Sequence, residues 1–351
     1  MSGPSNTLPT RRIGSLEVSA IGLGCMNVTG TFGPAPSREE AIALIRGAHD
    51  EGVTFFDTAQ LYGAGLSEQI VGEALAPIRD KVVIETKFGH EFDLRLNSRP
   101  DSIRSTLEAS LQRLRTDFVD IYVQHRVDPQ VPIEDVAGTV ADLIREGKVR
   151  EFSLSEAGAA TIRRAHAVHP VAAVQNEYSV WVRDSDAEVM PVLEELGIAL
   201  VPWSPLGTGF LAGKVTDASQ LDSQHDIRAK YQFARFTTEA MRANRPIVEA
   251  LRSVGQRHGA TPGQVALAWL LALKPWIVPI PGTTQIAHMK ENAAAARIAL
   301  TAEDMAEIAA VWSRTEVVGL RIPEGVLQSS DEGAVLGTSS AGGHGKSPLP
   351  A

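Results

Sequence analysis

The sequence predicts an α/β protein built as a closed (β/α)8 barrel, on three observations. Eight short apolar runs rich in Val, Ile and Phe alternate along the chain with longer stretches of helical period. Eight is the number of parallel strands that closes on itself with helical crossovers outside. The main alternative, a doubly wound open sheet, would carry a G-x-G-x-x-G phosphate turn after its first strand, and none follows here.

Taken in order, residues 9–17 (PTRRIGSLE) read as a short hairpin ahead of the barrel. The strand candidates are 18–24, 53–57, 81–86, 118–125, 149–155, 172–177, 198–204 and 277–282. Between them, residues 101–115 carry a helical stripe of Ile103, Leu107, Leu111 and Leu114, with Asp101 and Ser102 suited to its N-terminus. A second helix over 133–147 ends at Gly147, a natural C-cap. Residues 207–236 form an insertion after strand seven, too long for a routine connection and so a candidate lid. One barrel domain is expected over 9–323, and the Gly-, Ser- and Pro-rich stretch 324–351 reads as a flexible tail.

Composition narrows the function. A chain of 351 residues fits one barrel with insertions, and 44% hydrophobic residues suffice for a large core. A net charge of −9 with no Lys/Arg stripe excludes wholesale nucleic-acid binding. The single cysteine, Cys25, rules out an intrachain disulfide and fits a reducing compartment. No signal core and no membrane-spanning run is visible, so a cytoplasmic protein is expected.

In such a barrel the active face is made by the C-terminal ends of the strands. Strand two ends on Asp57, with Tyr62 in the loop after it, and strand three delivers Lys87. Strand four ends on His125, strand five on Ser155, and strand six carries Gln175. Strand seven brings Trp203 and Ser204, and strand eight Gly282, Thr283 and Thr284. Each alone has an ordinary structural reading: a turn cap, a solvated lysine, a loop aromatic, a satisfied barrel-top histidine. Brought to one rim, they make an acid, a base partner and two orienters.

Those residues stand in the segments FFDTAQLYG, ETKFG, DIYVQHRVD, VQNEYS, PWSPLGTGFLAGK and PIPGTT. In this order the segments resemble the aldo-keto reductase family, in its longer-chain bacterial branch, and are similar also to potassium-channel β-subunits. The resemblance runs from about Arg11 to Trp312. It implies an NADPH-dependent carbonyl (aldehyde or ketone) reductase, reversible as an alcohol dehydrogenase, with a small carbonyl compound as substrate and no metal.

The chemistry of the four residues agrees with that implication. A tyrosine hydroxyl titrates near 10, and a cationic neighbour should lower that value. Lys87 would supply the charge, Asp57 would balance it, and His125 would join Tyr62 in polarising the carbonyl. On the cofactor side the resemblance assigns Ser155 and Gln175 to the nicotinamide carboxamide and Trp203 to stacking on the ring. The resemblance also assigns Met26 to cofactor binding. Ser204, Pro205, Leu206, Gly209 and Leu211 would wrap the pyrophosphate. Ile280, Gly282, Thr283, Thr284, Gln285, His288, Glu291 and Asn292 would hold the adenosine end. Two departures matter. Glu156 follows Ser155 where many members place Asn, which puts that carboxamide contact in doubt. Thr284, Gln285 and His288 occupy positions where basic residues are common, and Lys290 points elsewhere, so NADPH should be preferred over NADH by only a narrow margin.

His166 and His169 lack a third metal ligand, and HEFD at 90–93 is a loop. Cys25 has no base assigned to it. Phe32, Trp181 and Phe233 are candidates for a substrate pocket and equally for packing. Two rival functions follow from the same residues: a cofactor-binding regulatory subunit with little turnover, and an aldolase-type barrel using Lys87 as a Schiff-base nucleophile.

Overall fold

The computed structural model describes residues 7–323 and Asp331. Strands β1 (Thr10–Ile13) and β2 (Leu16–Ser19) pair as an antiparallel hairpin. Ser15 donates to Glu151 at the start of a barrel strand, and Arg11 donates to the carbonyls of Leu271, Lys274 and Ile277. The hairpin therefore caps the N-terminal end of the barrel, where Ile13, Leu16 and Val18 join the interior apolar cluster.

Seven strands follow in one parallel sheet, in chain order: β3 (Leu23–Gly24), β4 (Phe55–Asp57), β5 (Val83–Phe88), β6 (Val119–Gln124), β7 (Val149–Ser155), β8 (Val171–Gln175) and β9 (Ala199–Leu200). Helices α1 (Arg38–Asp50), α2 (Leu66–Leu75), α3 (Pro100–Leu114), α4 (Ile133–Arg145), α5 (Ala159–Val168) and α6 (Val189–Leu196) form the crossovers between them. Strands of this kind are covered on both faces, so all six residues of β5 are buried. The period of two still sorts them: Val83 packs inside the barrel, Ile84 and Phe88 pack outward against the helices. Glu85 and Lys87 share the inward face of Val83.

The eighth strand is the informative exception. Residues 277–282 (IVPIPG) close the barrel without a regular ladder. Val278 and Ile280 donate to the carbonyls of Leu200 and Pro202 at 2.8 and 3.2 Å. On the other side, Gly22 and Gly24 donate to Pro279 and Pro281 at 2.9 and 3.3 Å. The two prolines have no N–H to return, so that seam is half a ladder. It is also tight: a Cβ on Gly24 would lie 2.9 Å from the Ile280 carbonyl oxygen.

Several expected boundaries change. The run 18–24 is divided, its start completing the hairpin and only Leu23–Gly24 entering the barrel. Lys87 lies within β5, not beyond it. Helix α3 begins at Pro100, whose missing N–H suits the first turn, so Asp101 sits inside the helix. Helix α4 stops at Arg145, and Gly147 takes the left-handed conformation just past it (φ +78°).

After β9 the insertion runs through short 3-10 turns to α7 (Ile227–Lys230). It crosses to the loop after β3: Ile227 donates to the Thr31 carbonyl at 3.1 Å, and Phe32 bridges Asp226. Helices α8 (Thr238–His258) and α9 (Pro262–Leu273) precede the closing strand; α10 (Ile286–Ala294) and α11 (Ala302–Arg314) follow it. No helix among the described residues is long and apolar enough to cross a membrane. The expectation of a flexible tail from 324 falls outside the described residues, Asp331 apart.

Candidate active site

A cavity of about 670 Å³ opens at the C-terminal ends of the strands. Asp57, Tyr62 and His125 line it, together with every residue expected on the cofactor side except Leu211. Leu211 is fully buried in the core instead. Its position follows from the turn over residues 207–212, in which Gly209 takes a positive φ (+95°) and faces the cavity while Leu211 turns inward.

The catalytic candidates are fixed by strand register. Asp57 is the last residue of β4 and Lys87 the fifth of β5, neighbouring parallel strands whose inward faces coincide. Lys87 is completely buried beneath the cavity floor; its Nζ binds Asp57 Oδ1 and donates to the Thr58 carbonyl at 2.9 Å. Burial alone would strip its proton, but the Asp57 carboxylate beside it outweighs that and holds the ammonium above its ordinary pKa. The Lys87 Nζ lies 5.1 Å from the centroid of the Tyr62 ring. Tyr62 is not the lowered phenol expected from the sequence. Burial pushes it above its ordinary range, and Lys87 pulls it only part of the way back. The resident form at neutral pH is thus the neutral phenol, a proton donor.

His125 meets the Tyr62 ring edge-on, with centroids 5.8 Å apart, and is flanked by His90 at 5.1 Å. Burial, then the charges of Arg126 and Lys87 and the neighbouring His90, hold its pKa well below the ordinary histidine value. It is a neutral imidazole with one N–H to donate.

Two carboxyls reshape the remaining contacts. Glu85, also fully buried, lies on the inward face of β5 two residues before Lys87. The amide nitrogen of Gln175 donates both to Asp57 Oδ1 (2.9 Å) and to Glu85 Oε1. Only the carbonyl oxygen of Gln175 is left for a cofactor amide. Burial, then the nearby Asp57, raise the Glu85 carboxyl well above the usual carboxylate range. Glu156 is committed elsewhere: it accepts from the Glu177 N–H (2.8 Å), from Trp203 Nε1 (3.0 Å) and from Arg321. Burial opposes its charge, but Arg321 and Arg126 overcome it and hold the carboxyl at about 2. Glu156 orients Trp203 toward the cavity and pins the segment carrying Arg321.

At the far end of the cavity α10 begins without a side-chain cap or an acidic residue in its first turn. Such a terminus favours an anion. Gln285 donates its N–H to Thr283, and Lys290 pairs with Glu51, just past the end of α1, at 2.9 Å, facing away. The charge missing from this helix arrives from the insertion, because Lys214 Nζ lies 2.7 Å from His288 Nε2. Arg228, which also lines the cavity, binds Asp226 and donates to the Thr208 carbonyl at 2.6 Å.

Of the other candidates, Phe32 lines the cavity, whereas Trp181 and Phe233 are buried, Trp181 stacked on Phe210 at 4.4 Å. Cys25 is buried and its thiol is pushed far up by that burial, which removes it as a nucleophile. His166 accepts from the Val171 N–H at 3.1 Å. Among the described residues no three His, Cys, Asp or Glu side chains gather as a metal site. Glu85, Arg126, Lys214 and Arg228 join the site without having been singled out by any motif above. The first was signalled by the period of two from Lys87, and Lys214 by its place at the end of PWSPLGTGFLAGK.

Residues 20–313 match the model of the aldo/keto reductase family. The chain is 42% identical to the probable aldo-keto reductase 1 of Glycine max over 88% of its length and 90% of that protein. It is 40% identical to the aldo-keto reductase str7 of Strobilurus tenacellus, over 90% of this chain and 95% of the relative. Among solved structures, a thermostable aldo-keto reductase in complex with the inhibitor epalrestat is 28% identical with a TM-score of 0.69, covering 87% of this chain and all 100% of its own. The glycerol dehydrogenase of Gluconobacter oxydans shares the fold at a TM-score of 0.78 and 24% identity, covering 89% of this chain and 97% of its own. The chain belongs to the aldo/keto reductase family of oxidoreductases.

Proposed function

We propose that the protein is an NADPH-dependent carbonyl reductase in which Tyr62 is the proton donor. The observation that carries this reading is the buried Lys87–Asp57 pair set under a neutral phenol, with a neutral His125 on the same cavity wall. Bound NADPH supplies a hydride from its nicotinamide to the carbonyl carbon. Tyr62 gives its proton to the carbonyl oxygen, completing the alcohol, and Lys87 stabilises the phenolate left behind. His125 donates a hydrogen bond to the same oxygen as negative charge grows on it. Positioned acid catalysis of this kind contributes roughly 10²–10⁴-fold.

The cofactor fits the residues present. The Gln175 carbonyl and Ser155 face the catalytic end, and the uncapped start of α10 with Lys214 beside His288 gives a phosphate both N–H donors and charge. Lys214 offsets the lack of arginine on α10, so a preference for NADPH over NADH is expected, with NADH still active. The Schiff-base reading is disfavoured because Lys87 is enclosed and held protonated. Steady-state assays with excess NADPH and a panel of sugars, dicarbonyls, aromatic aldehydes and ketones test the proposal. Repeated turnover supports it. Oxidation that stops after one equivalent of NADPH per enzyme would favour the regulatory-subunit reading.

A further inference from the structure

The Arg126 guanidinium lines the cavity beside the catalytic residues and is only partly used. Its Nη1 donates to the His125 carbonyl at 2.6 Å and to Ser155 Oγ at 3.3 Å. Neither its Nε nor its Nη2 bonds to a described residue, and Arg126 has no ion pair among the described residues. By contrast, Arg321 is paired with Glu156 and Glu177, Arg183 with Asp186 and Arg228 with Asp226. Glu156, whose charge acts on Arg126, already accepts from Arg321 and Trp203.

A half-buried guanidinium with unspent donors in a binding cavity is a site for an anion. Its planar fork matches a carboxylate, which can accept two parallel N–H bonds. The phosphates of a bound dinucleotide are matched by Lys214 and the start of α10, at the opposite end of the cavity from the catalytic residues. Arg126 instead adjoins His125 in sequence and is close enough to Tyr62 for its charge to act on the phenol. Its free donors are therefore placed for the substrate.

We infer that Arg126 selects carbonyl substrates that carry a carboxylate, binding that group through its free Nε and Nη2 while Tyr62 and His125 hold the carbonyl oxygen; this rests on the reductase reading above. The reaction is unchanged: hydride to carbon, proton from Tyr62 to oxygen, with the carboxylate untouched.

The test compares succinic semialdehyde with its methyl ester, a pair with the same aldehyde and a flexible chain, differing in the charge at the far end. The wild-type enzyme is expected to favour the acid by about 10- to 100-fold in kcat/KM, mainly through KM, the range of one charge-assisted contact. Arg126→Met should bring that ratio close to one, and Arg126→Lys should retain part of it. NADPH affinity, read from quenching of Trp203 fluorescence, guards against a cofactor role. A ratio near one in the wild type overturns the inference. So does a ratio preserved in Arg126→Met, or a loss confined to NADPH affinity. Absence of turnover with either aldehyde would instead bring down the reductase reading itself.

Discussion

The two ends of the cavity are built by different means. At the catalytic end, Asp57, Glu85, Lys87 and Gln175 come from strands whose register fixes them, and they bond to one another out of contact with solvent. At the adenosine end, Lys214 and His288 come from the insertion and from α10, lie on or near the surface, and meet through side chains alone. Buried groups in a low dielectric interact strongly and tolerate little change; exposed charges are screened and contribute less. Chemistry is thus placed where the backbone is rigid, and cofactor selectivity where loops can vary.

Substitutions should rank accordingly. Lys87→Met removes the charge that stabilises the phenolate and is expected to lower kcat by about 10² or more, with a much smaller change in NADPH affinity. Rate measurements at saturating NADPH decide this, and a loss seen only in cofactor binding would place Lys87 in the other class.

A second effect is in stability and belongs to the pin behind the catalytic end. Burial raises Glu177 to about 7 from its ordinary 4.5, despite its bond to Arg321. Between those values the folded protein holds a proton that the unfolded chain has lost. Stability should therefore fall as pH rises from about 4.5 to about 7, by up to roughly 1.4 kcal/mol per pH unit, and level off above. Glu156 titrates at about 2, so its stabilising charge is lost only at more acid pH, below this window. Urea midpoints at several pH values should show the slope in the wild type and its loss in Glu177→Gln.

The adenosine end should respond more mildly. Lys214→Met is expected to weaken NADPH binding about tenfold and NADH binding much less, since one partly exposed charged contact is removed. Equal weakening of both would assign Lys214 to the pyrophosphate they share. Smallest of all, Gln285→Arg should tighten NADPH several-fold with little effect on NADH; tightening of both would mean that α10 does not face the 2′-phosphate. Titration by tryptophan fluorescence measures each.

What could be read from the sequence follows the same division. Strands buried on both faces leave apolar runs, and β5 to β8 stand close to where those runs place them. Asp57, Tyr62, Lys87 and His125 were legible because strand ends converge in a barrel. Glu85 was legible in principle, two residues from Lys87, but a carboxyl whose pKa is raised by burial looks in the sequence like any other glutamate. The Tyr62 phenol was misjudged for the same reason: a neighbouring charge can be guessed from a motif, whereas the opposing cost of burial depends on the whole fold. Arg321 reaches Glu156 across 165 positions, and Lys214 reaches His288 across 74, pairings that no local pattern encodes.

The central claim is that Tyr62 delivers the proton that completes carbonyl reduction. Its most direct test is Tyr62→Phe, with single-turnover NADPH oxidation followed by stopped flow and the NADPH dissociation constant measured in parallel. Loss of one hydroxyl from a rigid barrel rim should leave cofactor affinity almost unchanged and slow the hydride step by about 10² or more. A variant that oxidises NADPH as fast as the wild type, on the same carbonyl substrate, would contradict the account.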